Sequence, residues 1–249
     1  MKGLVWTSVK KMEVQSVPEP TLRPSWVILR VSSAGICGSD VGGFLGKNEL
    51  RKPPLIMGHE FSGVVEEIGT GIPKDLKDKL VTANPFVSCG SCAFCRRGER
   101  QLCSERKIIG VDFPGAFAER IAVPYKSCYP ITDPIRGALV EPLACAVRAI
   151  EKLGPTVGDS AVVFGAGTLG LMVTKLLDAA GVRELTVVDI NATRLQWAKA
   201  WGATSTLNPN LQNIVESVKG QTIGGVDCIV DAVGSSETRR QSVECVRRE

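Results

Sequence analysis

The chain's single histidine, His59, sits in Gly58-His59-Glu60 with a carboxylate directly after it. Cys37 lies upstream in Ile36-Cys37-Gly38-Ser39-Asp40. Thiolate, imidazole and carboxylate are the ligand types that zinc takes. An isolated His-Glu pair is more often structural than ligating, so the rest of the chain must decide. Cys89, Cys92, Cys95 and Cys103 supply a second group with C-x2-C-x2-C-x7-C spacing. A compact loop with this spacing can close four thiolates around one tetrahedral ion, at Zn–S distances of about 2.3 Å. Four sulfurs fill that ion and leave no position for substrate, which makes it a structural zinc. Iron–sulfur clusters also use C-x2-C-x2-C, but there the fourth cysteine comes sooner and precedes proline. Here Ser104 follows it.

A third chemistry lies downstream. The apolar run Ala161-Val162-Val163-Phe164 leads straight into Gly165-Ala166-Gly167-Thr168-Leu169-Gly170, and Leu171 to Leu177 continues as helix. A lone G-x-G-x-x-G is a weak signal. This one follows a strand, opens a helix and has Asp189 19 residues after Gly170, at the end of the next strand. That context is the one a dinucleotide turn needs. Gly165 permits the tight turn, Gly167 admits a pyrophosphate and Gly170 lets helix and strand pack closely. Thr168 and Leu169 complete the cofactor-binding turn, whose helix N-terminus offers N–H groups to phosphate. Asp189 suits ribose hydroxyls and repels a 2′-phosphate, which favours NAD over NADP. Arg194 is the residue that could accommodate that extra phosphate.

These residues need elements to position them. Trp26 to Val31 is rich in β-branched residues and reads as a strand delivering the chain to Cys37. Ser39 and Asp40 are also candidate caps of a following turn or helix. Gly58 to Gly69 reads as a strand broken by glycines, spacing that suits a small barrel more than a plain sheet. Gly115 to Pro124 reads as strand. Val140 to Ile150 reads as a helix, with Pro142 at its first position and Glu141 near its cap. From Gly154 onward strands and helices alternate. Helix is expected over 194–201 and 211–219, and strand over 185–188, 204–207 and 226–231. This order predicts a parallel sheet with right-handed crossovers. The domains expected are 1–150, with the cysteine lobe at about 89–103, and 151–249.

Composition sets the remaining bounds. Thirty basic against 26 acidic residues give a formal charge of +4. The charges are interspersed, so no nucleic-acid partner is expected, and Arg96-Arg97, Arg239-Arg240 and Arg247-Arg248 read as solvated surface. No stretch approaches 18 uninterrupted apolar residues, and the first residues lack a long apolar segment. Neither a membrane partner nor a secretory signal is expected. Nine cysteines, an odd number, argue against a disulfide framework and for a reducing, cytoplasmic setting.

Cys37 with His59-Glu60, the four-cysteine lobe and the nucleotide fold together resemble the zinc-containing medium-chain dehydrogenases. Gly58-His59-Glu60-x2-Gly63-x5-Gly69 is similar to that family's zinc signature. Cys37-Gly38-Ser39-Asp40 and Glu141-Pro142 most resemble its polyol branch, typified by sorbitol dehydrogenase, with threonine dehydrogenase nearby. The resemblance covers essentially the whole chain. It implies an α/β architecture, with a GroES-like β-barrel-type catalytic domain and a doubly wound parallel sheet. It further implies a catalytic zinc held by Cys37, His59 and either Glu60 or Glu141, giving two zinc ions per chain. Ser39 matches the hydroxyl that begins the family's proton relay. The implied activity is hydride transfer from an alcohol or polyol to NAD, and the implied full-length assembly is a homo-oligomer.

Two departures bear on that expectation. The polyol branch carries a histidine three residues after the relay serine, where this chain has Gly42. Family members also continue past the position of residue 249, so a C-terminal truncation after the fourth strand of six is expected. Strand 226–231 would then be an apolar open edge. The alternative expectation is a truncated, non-catalytic homologue that binds zinc, and with it nucleotide, in a structural or regulatory role.

Overall fold

The structure, a computed structural model, describes residues 1–247. Arg248 of the expected surface pair lies outside this range, whereas Arg247 pairs with Asp227 at 2.8 Å. Two compact units divide at Glu141/Pro142. That boundary falls inside a helix and before the expected 150/151.

The first unit holds β1 (Lys2–Ser8), β2 (Lys11–Ser16), β3 (Trp26–Gly35), α1 (Gly38–Phe44), β4 (Leu55–Ile56), β5 (Glu60–Ile68), β6 (Leu80–Ala83), β7 (Phe86–Val87), α2 (Ala93–Arg96), β8 (Lys107–Ile108), β9 (Arg120–Pro124), β10 (Cys128–Pro130) and α3 (Pro134–Ala138). The main sheet runs β10-β6-β5-β3-β9, all antiparallel. β3 is its spine, paired to β5 on one side and β9 on the other. Val27, Leu29, Phe61, Val65, Val81, Ile121 and Val123 form its core. The β3–β5 register shifts between Ile28 and Leu29 and again between Val31 and Ser33. Bulges of this kind bend a strand and re-aim its side chains. A smaller sheet, β2-β1-β4, is tied on by a bridge from Gly3 to Ala118.

The expected strand over Gly115 to Pro124 forms only from Arg120. The Gly115, Ala116 and Phe117 N–H groups instead donate to the Ile56, Gly58 and Met57 carbonyls. The chain there serves as a brace behind His59 rather than as strand. The helix expected over Val140 to Ile150, with Pro142 at its first position, forms as α4 (Val140–Leu153). Pro142 is therefore its third residue, a position whose N–H would lack an intrahelical partner anyway.

The second unit holds most of α4, then β11 (Ser160–Phe164), α5 (Thr168–Ala179), β12 (Glu184–Val188), α6 (Ala192–Ala200), β13 (Ser205–Leu207), α7 (Ile214–Gln221), β14 (Cys228–Asp231) and α8 (Ser236–Cys245). Its sheet order is β13-β12-β11-β14, parallel throughout. Every residue of β11 is buried. Ala161 and Val163 pack with Met172, Leu177 and Leu195 on one face. Val162 and Phe164 pack with Ile214, Val218 and Cys245 on the other. Alternation along one strand thus serves two helical layers, the mark of a doubly wound sheet. Helix α7 starts three residues later than expected from the pattern, where the Asn213 side chain accepts from the Glu216 N–H. Helix α8 was not anticipated, although Ser235 and Thr238 cap it reciprocally.

Candidate active site

Cys37 is the N-cap of α1, and Asp40 lies one turn into that helix. The Cys37 N–H donates to Asp40 Oδ2 at 3.1 Å. The other carboxylate oxygen, Oδ1, accepts from Arg51 Nη2 at 3.1 Å and stands 3.4 Å from His59 Nδ1. Asp40 is thus more than the helix cap that its position suggests: it ties together the backbone of Cys37, the ring of His59 and a guanidinium. Burial opposes its charge, but His59, Arg51 and the Cys37 N–H outweigh burial and hold the carboxyl below its usual range.

His59 sits immediately before β5, and Glu60 is that strand's first residue, paired with Gly35 of β3. Gly58 takes a φ of +97° to make the turn into the strand, a conformation open mainly to glycine. A Cβ there would lie 2.7 Å from the Phe117 ring. Gly110 and Gly115 press on the Gly58 carbonyl from the other side, at 2.8 and 2.4 Å for their own hypothetical Cβ atoms. Glycines at three separated positions therefore let backbone close around the His59 turn.

The ligand atoms of Cys37, His59 and Glu60 all lie within 4.8 Å of one another. Glu141, half-buried in the first turn of α4, is not in that group. Burial works against a charge on His59, yet hydrogen bonding and charge from Asp40 and Cys37 push it up to about 10. His59 Nδ1 nevertheless has no hydrogen bond of good geometry among the described residues. A buried histidine that has Asp40 beside its Nδ1 and shares a cluster with the Cys37 sulfur and the Glu60 carboxylate fits a cation better than an apolar core. A zinc ion held here would compete with protons for the same side chains. Gly35 matters to the fit, because a Cβ there would stand 2.5 Å from Glu60 Oε2. We expect Gly35→Ala to turn the Glu60 carboxylate away and lower zinc retention here. Metal analysis after dialysis checks this, and wild-type retention would remove Glu60 from the ligand set.

The cysteine lobe is a nest of N–H···S contacts. Cys92 N–H donates to Cys89 Sγ, Cys95 N–H to Cys92 Sγ and Cys89 N–H to Cys103 Sγ, at 3.4 to 3.5 Å. Cys89 and Cys95 Sγ are 3.9 Å apart. Four sulfurs about 2.3 Å from one ion would stand roughly 3.8 Å apart. The spacing fits a tetrahedral thiolate site. Backbone N–H groups of Ser91 and Cys92, with the Ser91 hydroxyl, pull the Cys89 thiol down to about 6. Burial and the neighbouring Cys92 push Cys95 up to about 11. Thiols this close cannot all ionise until a cation joins them.

In the second unit, Gly165 has a φ of +94°, and its N–H donates to the Val188 carbonyl at 2.7 Å. A Cβ on Gly170 would lie 1.8 Å from the Gly165 carbonyl oxygen, which any side chain there would expel. Gly167 is the N-cap of α5, with no side-chain cap and open space where its Cβ would be. Thr168 and Leu169 form the exposed first turn. Asp189 is buried, with Oδ2 accepting from the Ala166 N–H and Oδ1 from the Asn191 N–H, both at 2.8 Å. Arg194 Nη1 stands 3.9 Å from Asp189 Oδ2. The turn and the acid are thus joined by a direct hydrogen bond, which spacing does not reveal.

Sequence reasoning missed the bridging role of Asp40 and missed Arg51 entirely. Cys37-x2-Asp40 is a capping-box pattern with a thiol in place of the hydroxyl, so a signal for Asp40 existed. Arg51 lies in a polar, proline-rich stretch that carries no such signal.

Residues 23–133 match the alcohol dehydrogenase GroES-like domain, and residues 168–249 match the zinc-binding dehydrogenase domain. An L-threonine 3-dehydrogenase of Caldanaerobacter subterraneus subsp. tengcongensis is 33% identical across 100% of this chain and 75% of its own length. A D-xylulose reductase A of Aspergillus fumigatus is 32% identical across 98% of this chain and 72% of its own. A zinc-binding dehydrogenase of Sinorhizobium meliloti 1021, solved bound to NADP, superposes with a TM-score of 0.92 at 32% identity. That match covers 99% of this chain and 73% of the solved one. Among the described residues no helix is long and apolar enough to cross a membrane. The chain belongs to the zinc-binding alcohol dehydrogenases, oxidoreductases that pair a GroES-like domain with a nicotinamide-binding parallel sheet.

Proposed function

We propose that the protein oxidises an alcohol or polyol with NAD at a zinc held by Cys37, His59 and Glu60, and that a second zinc fills the cysteine lobe. The observation that carries this is the convergence of those three ligand types within 4.8 Å behind a shared carboxylate, Asp40. When bound, zinc polarises the substrate oxygen and the nicotinamide accepts hydride. The chain's residues do the positioning. Asp40 fixes the His59 ring, as carboxylates behind ligating histidines do. Ser39 Oγ accepts the proton that the alcohol oxygen releases and passes its own proton onward. The N–H groups at the start of α5 hold the pyrophosphate.

The relatives named above carry the names of a threonine dehydrogenase and a xylulose reductase, so the substrates to try are polyols, secondary alcohols and threonine. A panel of these with NAD, before and after chelation, tests the proposal through NADH formation. Turnover that survives removal of zinc would sink the zinc mechanism. Two zinc ions and tight NADH binding without turnover would favour the non-catalytic reading, which Gly42 also motivates. We further propose a cytoplasmic setting and, for the full-length protein, a homo-oligomer.

Asp189 supports NAD over NADP, because its buried carboxylate would face a 2′-phosphate. Asp189→Asn keeps the shape and removes the charge. We expect the KM for NAD to rise about tenfold, roughly 1.4 kcal/mol, and NADP to gain on it. An unchanged ratio of the two cofactors would shift the preference to Arg194.

A further inference from the structure

We infer that Arg51 is a positioning residue for the proton-accepting hydroxyl of Ser39, an inference that rests on the role of Ser39 proposed above. The Arg51 side chain is 4% exposed. Its stem fills space that Gly43 leaves open: a Cβ on Gly43 would stand 2.7 Å from Arg51 Cδ. A guanidinium that only neutralised Asp40 would gain most from a two-pronged grip on the carboxylate. Here a single nitrogen, Nη2, reaches both Asp40 Oδ1 and Ser39 Oγ, each at 3.1 Å, while Nε has no partner among the described residues. The arginine is therefore shared between carboxylate and hydroxyl.

The chemistry of a hydroxyl gives that sharing a consequence. Ser39 has one O–H donor and two acceptor lone pairs, whereas a guanidinium only donates. The Arg51 bond occupies one lone pair and bars the Ser39 proton from pointing that way. What remains is one lone pair and one proton, both aimed elsewhere. The free lone pair takes the proton leaving the alcohol while the serine's own proton passes to water or a ribose hydroxyl, and Ser39 ends neutral. No side chain three residues on performs this service. Position 42 is glycine, and a Cβ there would meet only Asn48, at 3.9 Å. The chain has no second histidine.

A double-mutant cycle between Arg51→Met and Ser39→Ala tests the inference on the zinc-loaded full chain. Arg51→Met is expected to lower kcat/KM for the alcohol about tenfold while leaving the KM for NAD within twofold and the zinc content unchanged. In the Ser39→Ala background the same change is expected to cost less than twofold, and Arg51→Lys to restore part of the loss. Equal losses in both backgrounds, or loss of zinc from Arg51→Met, would overturn it by showing that Arg51 acts through Asp40 and His59. Should Arg51→Met not fold, Arg51→Lys enters the same cycle. Thermal melting of the four proteins gives a readout independent of turnover. Non-additive Tm changes support the Arg51–Ser39 contact, and additive ones overturn it. A wild-type chain without turnover would defeat the proposed function, while the melting cycle would still judge Arg51.

Discussion

Replacing His59 with alanine is expected to lower kcat/KM for the best alcohol by at least about 10³-fold, roughly 4 kcal/mol of transition-state stabilisation. The ring is buried between Asp40 and Cys37, and the chain holds no other imidazole that could take its place. The loss should lie in the site rather than in the fold. The core of the main sheet is built from Val27, Leu29, Phe61 and Val65, and His59 is not among it. Steady-state kinetics with metal analysis makes the test: one zinc lost, the other kept, and a melting profile close to wild type. Activity within tenfold of wild type, with both metals in place, would remove His59 from the mechanism.

The lobe should answer to a different assay. Cys95→Ala removes the buried thiol at the centre of the nest, leaving three sulfurs and an incomplete coordination shell. Apart from the four-residue α2, a 3-10 turn at Arg100–Leu102 and the short β7–β8 pair, the lobe has little regular structure among its described residues, so on the proposed reading its order would depend on a bound ion. Metal binding free energy in such a loop is folding free energy. A loss of about 4 kcal/mol corresponds to a fall in Tm of roughly 10 °C for a chain of this size. Calorimetry on wild type and variant decides it. A variant that melts within about 2 °C of wild type while holding one zinc fewer would show the lobe to be folded without its metal.

The legible parts of this protein share one property: local spacing carried them. The four lobe cysteines and the Gly165 to Gly170 turn each sit on a few consecutive turns of chain, and their chemistry follows from intervals. The parallel sense of β11 to β14 likewise follows from alternating strand and helix. What was not legible depended on contacts across the fold. Cys37 and Glu60 are brought together by the antiparallel pairing of β3 with β5, whose two bulges no pattern in the sequence announces. The choice between Glu60 and Glu141 is open in sequence, and the support for Glu60 is that its ligand atom lies within 4.8 Å of those of Cys37 and His59. Arg51 is the clearest case. A charged residue among polar neighbours reads as surface until a glycine eight positions earlier is found to leave room for its stem.

Asp40 also sets a timetable. Cys37, Ser39, Asp40, Arg51, His59 and Glu60 all fall within residues 37–60, and β3 and β5, which hold them in place, end by Ile68. Chains leave the ribosome from the N-terminus, and early segments can organise before later ones exist. Every group that Asp40 joins is therefore synthesised before Cys89 and long before Gly165. The flanking strands β6 and β9, and the clasp behind Gly58 made by Gly110 and Gly115, arrive afterwards. The order of manufacture is thus metal grip first, lobe and clasp second, nucleotide fold last.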